Sequence, residues 1–61
     1  MNYHPGDLIP LATGALALVE EILPQGRYKV ILPNVKQMPD GYTTNVAIIK
    51  PIAQYFIEEY I

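Results

Sequence analysis

The stretch Arg27–Pro33, RYKVILP, decides the fold of this chain. Two sets of side chains alternate along it, Tyr28, Val30 and Leu32 in one set and Arg27, Lys29 and Ile31 in the other. A period of two places each set on its own face of a β-strand, and β-branched and aromatic residues favour that structure. We therefore predict a strand whose Tyr28 face packs on a hydrophobic core and whose Arg27 face meets solvent.

A second strand follows after a turn. Pro39-Asp40-Gly41 is a strong turn signal, because Asp and Gly suit a tight turn that ends in a left-handed residue. Beyond it, YTTNVAII at residues 42–49 alternates again, with one face made of Tyr42, Thr44, Val46 and Ile48. The intervening loop, PNVKQMPDG at residues 33–41, is the longest connection of the predicted fold.

The N-terminal half is less regular. A Pro-Gly-Asp turn at residues 5–7 precedes the apolar pair Leu8-Ile9, and Pro10 restricts that pair to an edge strand or a strand end. The next segment, ALALVEEILPQG, fits two structures, since its residues are good helix formers but flanking glycines bracket it as turns bracket a strand. We favour a strand with a bulge near Glu20-Glu21, and a helix over residues 14–23 stays open.

The chain closes on PIAQYFIEEYI, an apolar and aromatic stretch. Pro51 suits the first position of a helix, and apolar side chains then recur at spacings of one, three and four. These are Ile52, Ala53, Phe56, Ile57, Tyr60 and Ile61. We predict an α-helix over about residues 51–60. At about ten residues it is too short to persist alone in water, so it must dock on another surface.

Short strands with turn signals every eight to twelve residues predict a small, strongly bent barrel. The expected fold is mainly all-β, with four to five short antiparallel strands and a short C-terminal α-helix. It forms one domain over residues 1–61, with the barrel at about 5–50 and the helix at about 51–60. The expected core consists of Val19, Tyr28, Val30, Leu32, Val46, Ile48 and Phe56.

A family resemblance is carried by PGDLI, GALALVEEI, GRYKVILP and NVAIIKPI, in that order. This succession of turn glycines and short strands resembles the SH3-like small barrels, including KOW-type modules, over about residues 5–52. The opening PGD with a short C-terminal helix is similar to small uncharacterised proteins of phage and mobile elements. The resemblance implies a fold, whereas function must come from a site, because this architecture serves many activities.

Composition argues against an enzyme. The 61 residues include neither serine nor cysteine and a single histidine, His4, so the common nucleophiles are missing and a metal cluster has few ligands. Adjacent acidic pairs at residues 20–21 and 58–59 diverge in direction, so neither makes an acid/base dyad. The plasmid-type dihydrofolate reductases, which are tiny SH3-like barrels, line their pore with Val-Gln-Ile-Tyr, whereas this chain has Val-Ala-Ile-Ile at 46–49. We expect no catalytic residues, cofactor or metal.

The compartment is read from the same sequence. Its apolar runs are too short for a membrane span, and the start MNYHPGD has neither the basic nor the apolar region of a secretory signal. We expect a cytoplasmic protein that does not enter membranes.

Protein recognition is the function we favour. The outer edge of the predicted tail helix, formed by Ile57, Tyr60 and Ile61, exceeds what a tiny barrel needs to close one end. The loop at 33–41 adds Val35 and Met38, and Tyr42 follows it, so a rigid barrel would present apolar groups on a loop. We expect an interaction or assembly module whose partner is another protein or a second copy, most simply in a two-fold dimer.

The alternative is a nucleic-acid-binding accessory barrel. Arg27 and Lys29 share a face of the predicted strand, and Lys36 in the following loop extends the patch. Only four basic residues stand against six acidic ones, which gives a net charge of −2. Phosphate binding normally comes with a basic surplus, so this alternative ranks second.

Overall fold

A computed structural model describes residues 3–51 and 55–61 of the chain. Its five strands are β1 (Leu8–Pro10), β2 (Leu16–Ile22), β3 (Tyr28–Gln37), β4 (Thr43–Pro51) and β5 (Tyr55–Tyr60). A 3-10 turn, Pro24–Gly26, joins β2 to β3. The described residues contain no α-helix, so the all-β expectation is confirmed.

The strands form one antiparallel sheet in sequence order, curled into a half-barrel. Three irregularities in strand pairing bend it, one between each successive pair from β2 to β5. The first lies between Val19 and Glu21, where Glu20 is the extra residue, so the bulge predicted near Glu20-Glu21 is confirmed. Such bulges increase local twist and bend the bulged strand, which is what a small sheet needs to curl. The choice left open for residues 14–23 is settled in favour of a strand over Leu16–Ile22.

The two ends of the sheet approach each other at one point. The backbone N–H of Ala12, two residues beyond β1, donates a hydrogen bond to the carbonyl of Tyr55 at the start of β5 (3.0 Å). The turn after β1 is tightened by a second bond, from the N–H of Leu11 to the carbonyl of Ala15 (2.8 Å). The half-barrel is therefore closed at this end of β5, and the rest of that edge faces an opening.

The core lies on the concave side of the sheet. Its buried apolar side chains are Ile9, Leu11, Ala17, Val19, Tyr28, Val30, Leu32, Ala47 and Ile49. Cross-strand pairing explains the set, because residues that are opposite each other in an antiparallel pair share a face. Val30, for example, pairs with Val19 on β2 and with Ala47 on β4. The prediction that Val19, Tyr28, Val30 and Leu32 are buried is confirmed.

The phase predicted for β4 is wrong along most of the strand. Val46 and Ile48 are only half-buried and face outward, whereas Ala47 and Ile49 are fully buried. The cause is a break in the alternation beside Thr44, which is itself buried. The Thr44 hydroxyl accepts a hydrogen bond from the N–H of Val46 (3.1 Å), so the backbone bends here where β3 carries extra residues. A single unbroken period of two cannot describe such a strand.

The predicted C-terminal helix is also wrong. Tyr55–Tyr60 is a strand that pairs with β4, while Ile52 and Ala53 of the predicted stripe lie outside the described residues. As a strand, this segment finds hydrogen-bond partners for its backbone in β4. As a helix of about ten residues, it would be too short to persist alone and would place the negative charges of Glu58 and Glu59 at the negative end of the helix dipole. In the strand, Phe56 lies opposite Lys50 on the outer face and is 49% exposed, so its predicted core position is corrected as well.

Candidate functional site

The opening of the half-barrel forms a groove beside β5. Its cavity volume is about 170 Å³. The lining side chains come from the β1–β2 turn, the middle of β3 and β5, and they are Leu11, Thr13, Ala15, Leu32, Pro33, Asn34, Ile57 and Tyr60. We call this feature the seam groove. It lies between the edges of the sheet that the Ala12–Tyr55 hydrogen bond draws together at one end.

Local geometry places β5 side chains in the seam groove. Ile57 pairs with Ile49 and Tyr60 pairs with Ala47, both of which are fully buried on the concave side. Residues 57 and 60 would point to opposite faces of a regular strand. They share one face here because the pairing slips by a residue at Glu58. The bulge therefore turns both side chains towards the core and the groove.

The chemistry of the seam groove is neutral and largely apolar. None of its eight lining residues carries a charge, and Thr13 and Asn34 supply the polar side chains other than the Tyr60 hydroxyl. A cavity of about 170 Å³ is smaller than the ~300–1,000 Å³ of typical small-molecule sites and much larger than the ~30 Å³ share of one water. The groove thus has the size and polarity to take one uncharged side chain.

A hairpin arm, residues 35–43, stands next to the seam groove. Its turn is the one predicted at Pro39-Asp40-Gly41: the N–H of Tyr42 donates to the Asp40 carboxylate (2.9 Å), and Gly41 has a φ of +89°, which favours glycine. Every residue of the arm is exposed except Met38, which is half-buried. The arm therefore adds accessible side chains to the rim of the half-barrel.

The two faces of the arm differ. Lys36 pairs with Thr44, and the N–H of Met38 donates to the carbonyl of Tyr42 (2.7 Å), so these four residues share one face. Thr44 is buried on this face, and the Lys36 ammonium lies 5.9 Å from the centre of the Tyr60 ring. This inner face therefore looks towards the seam groove. Gln37 pairs with Thr43 and is out of phase with Lys36, so these two residues lie on the rear face, whereas Val35 belongs to the irregular stretch between Ile31 and Lys36.

The structure separates the interaction residues proposed from sequence into four places. Ile57 and Tyr60 line the seam groove, Met38 and Tyr42 lie on the inner face of the arm beside it, and Val35 lies at the base of the arm in the irregular stretch of β3. Ile61 belongs to the opposite, outer side of the sheet, where its N–H donates to the carbonyl of Val46 (2.9 Å). A helix would have put Ile57 and Ile61 one turn apart on a single face. The strand does not.

Sequence reasoning missed Leu11, Thr13 and Ala15, which line the side of the groove that faces β5. Gly14 was the usable signal, because a glycine between apolar segments marks a turn. What the sequence did not reveal is that this turn faces β5. That contact follows only from the curl of the whole sheet.

The three cations of the alternative patch are each engaged by a neighbour. The Arg27 guanidinium contacts the Glu58 carboxylate (Nη1–Oε1, 3.2 Å), and Lys29 contacts Glu20 (Nζ–Oε1, 3.4 Å). Lys36 stands over the Tyr60 ring. Acidic side chains therefore neutralise two of the three positive charges that a phosphate backbone would need.

An aromatic cluster closes one end of the core. Tyr3 packs edge-to-face on Tyr28 and on Tyr55, with ring centroids 5.8 and 5.6 Å apart. Partial burial raises the pKa of the Tyr55 hydroxyl above its ordinary value of 10.0, and the neighbouring Tyr3 raises it further. These rings pack on the hydrophobic core, so we assign the cluster to stability.

Residues 3–51 and 55–61 contain neither of two other kinds of site, a metal cluster or a membrane-spanning helix. No three His, Cys, Asp or Glu side chains converge there on a possible metal position. Within the same residues, no helix has the length and apolarity to cross a membrane. Comparison with protein-family models, with curated proteins and with solved structures gives no match for the chain.

Proposed function

We propose that this protein is a non-enzymatic SH3-like small barrel that works as a protein-interaction or assembly module. The observation that supports the proposal most is the seam groove together with the inner face of the arm. Uncharged side chains line a cavity large enough for one side chain, and the exposed Tyr42 lies on the inner face of the adjoining arm. Concave apolar surfaces with a few polar groups are typical of recognition sites.

The backbone beside the groove supports the same function. β5 is the last strand of the sheet, and its described edge is bonded to the β1–β2 segment at Tyr55. Beyond that point the outer edge of β5 has no strand partner among the described residues, and the Ile57 and Tyr60 side chains border the cavity. A protein segment that enters the groove can therefore combine side-chain burial with backbone hydrogen bonds, whereas a small molecule of ordinary size finds too little volume.

A second apolar surface is less suited to one partner. Cross-strand pairing aligns an outward row of side chains across all five strands: Leu8, Leu18, Ile31, Val46 and Ile61. Because the sheet is curled, this row runs around the outside of the half-barrel, so a single flat partner cannot cover both of its ends.

Photo-crosslinking tests the proposal. A photoreactive residue is introduced in place of Tyr42, Thr13 or Leu16, one at a time, and the protein is irradiated in the cells that make it. Thr13 lines the groove, Tyr42 lies on the inner face of the arm, and Leu16, which is 51% exposed on the outer side, is the matched control. We expect protease-sensitive adducts from positions 42 and 13 and few from position 16.

Two results would contradict the proposal. Adducts that nuclease removes would favour the nucleic-acid-binding alternative, and equal adducts from all three positions would show that the groove is not a preferred surface. Adducts to a different protein and adducts to a second copy both support an interaction module, and their masses tell the two apart.

A further inference from the structure

We propose that the occupant of the seam groove is the arm of a second copy of this chain, with Tyr42 of each protomer inserted into the groove of the other. This inference rests on the proposed function and names its partner. It commits to a reciprocal, two-fold dimer in which the inner face of each arm covers the opening of the neighbouring half-barrel.

The first argument is that the Tyr42 side chain matches the cavity in exposure, size and polarity. Among the exposed large apolar side chains in the described part of the chain, Val35 and Tyr42 have the largest exposed fractions, 65% and 59%. Both belong to the arm, but Val35 lies in the irregular stretch of β3, whereas Tyr42 lies on the inner face. Its phenol is uncharged and aromatic, which suits a neutral cavity of about 170 Å³, and Thr13 and Asn34 offer polar partners for its hydroxyl.

The position of the arm supports the two-fold arrangement. Pro33 and Asn34 line the groove, and the arm begins at the next residue, so the arm that inserts and the groove that receives it are neighbours on each protomer. A two-fold axis that brings one arm over the partner's groove then brings the partner's arm over the first groove. Such a contact closes into a dimer, whereas an inserting side chain and a pocket on distant sides of the protomer would build a filament.

Interface size is consistent with this exchange. A standard interface buries about 800 Å² on each partner, which is about a fifth of the 4,185 Å² accessible surface of this chain. In the reciprocal dimer each protomer contributes two patches, an arm and a groove. About 400 Å² from each patch therefore suffices.

Edge-to-edge pairing of β5 with its copy is the less favourable way to join two chains. The Tyr55 carbonyl already accepts the Ala12 N–H, which shortens the available edge. In the antiparallel registers that keep most of the remaining edge paired, Glu58 and Glu59 of one strand lie opposite those of the other. Like charges directly opposite each other destabilise a strand pair.

Disulfide trapping tests the arm exchange, and the natural absence of cysteine makes every introduced thiol unambiguous. Tyr42→Cys protein is mixed with ¹⁵N-labelled Thr13→Cys protein in a glutathione redox buffer, and mixed dimers are counted by mass. The matched control replaces the first protein with Thr43→Cys, on the rear face of the arm. All three positions are exposed, so the variants should fold, which circular dichroism verifies.

We expect at least about tenfold more mixed disulfide from the Tyr42→Cys and Thr13→Cys pair than from the Thr43→Cys control. Equal yields from the two pairs, or no trapped mixed dimer above the random level, would overturn the arm exchange. If equal yields accompany adducts to a different protein in the crosslinking experiment above, that protein is the occupant and the proposed function stands. If neither experiment links the groove to a protein, both proposals fail.

Discussion

At the scale of single residues, burial follows from alternation wherever the strand is regular. Val30 is fully buried because it lies on the concave face between Val19 and Ala47. Val35, five positions later in the same strand, is 65% exposed because the pairing of β3 with β4 shifts between the two. One residue type thus has two very different roles in β3, and the two valines form a natural experimental pair.

Val30→Ala should lower the free energy of unfolding by roughly 1–3 kcal/mol, because it removes buried methyl groups and leaves a cavity. That is a large fraction of the stability of so small a domain. Val35→Ala is the control and should change the same quantity by less than about 0.5 kcal/mol. Urea denaturation measures both, and a Val30→Ala effect as small as the control would mean that the concave face is not the core.

Tyr55 should make stability depend on pH in the alkaline range. Its pKa is raised by folding, so between the unfolded value of 10.0 and the higher folded value the native state holds a proton that the unfolded state has lost. The contribution of this hydroxyl is therefore complete below pH 10 and falls as pH rises through the folded pKa. Denaturation curves from pH 8 to 11 should show a shallower alkaline decline for Tyr55→Phe than for exposed Tyr42→Phe, and equal declines would contradict this assignment.

At the scale of elements, the strand pairing of β5 determines which tail residues are inside. Phe56 faces outward opposite Lys50, and Ile57 faces the core opposite Ile49. The predicted helix reversed the position of Phe56, since it placed that ring at the centre of the apolar stripe. The effects of substitutions at these two neighbouring positions of β5 therefore distinguish a strand from a helix.

Phe56→Lys should change the free energy of unfolding by less than about 0.5 kcal/mol, because its side chain already reaches solvent. Ile57→Lys should cost about 1–3 kcal/mol, because it puts an ammonium group against a neutral, half-buried surface. Chemical denaturation of both variants is the measurement. A larger loss for Phe56→Lys than for Ile57→Lys would restore the helix.

Local patterns predicted much of the fold and part of the site. β3, the turn at residues 39–41 and the bulged β2 were readable because their signals are short-range: a period of two, an Asp-Gly turn and two adjacent acidic residues. The phase of β4 was not, because it depends on the hydroxyl of Thr44 folding back on the backbone of Val46. β5 was not readable either, since its apolar spacing fits a helix and only pairing with β4 decides otherwise. The groove combines residues from three separate elements, which no local pattern reveals.

At the scale of the whole molecule, a 61-residue half-barrel buries little surface on its own. A domain of this size hides only about 60% of the surface of its unfolded chain, and it has no disulfide to compensate. The curled sheet leaves an opening at the seam, and the arm leaves Tyr42 in solvent. In the proposed dimer, the arm of a second copy covers the opening, and the same contact removes Tyr42 of that arm from solvent.

Sedimentation equilibrium of the unmodified protein is the most direct test of this central claim. The arm exchange predicts a reversible dimer with a Kd below about 1 mM, which corresponds to at least about 4 kcal/mol of binding free energy. Tyr42→Lys should abolish the dimer, because it places a charge in a neutral groove, whereas Thr43→Lys on the rear face of the arm should leave the Kd within about threefold of the original. A protein that remains monomeric at about 1 mM, or that loses its dimer equally with either substitution, would contradict the account.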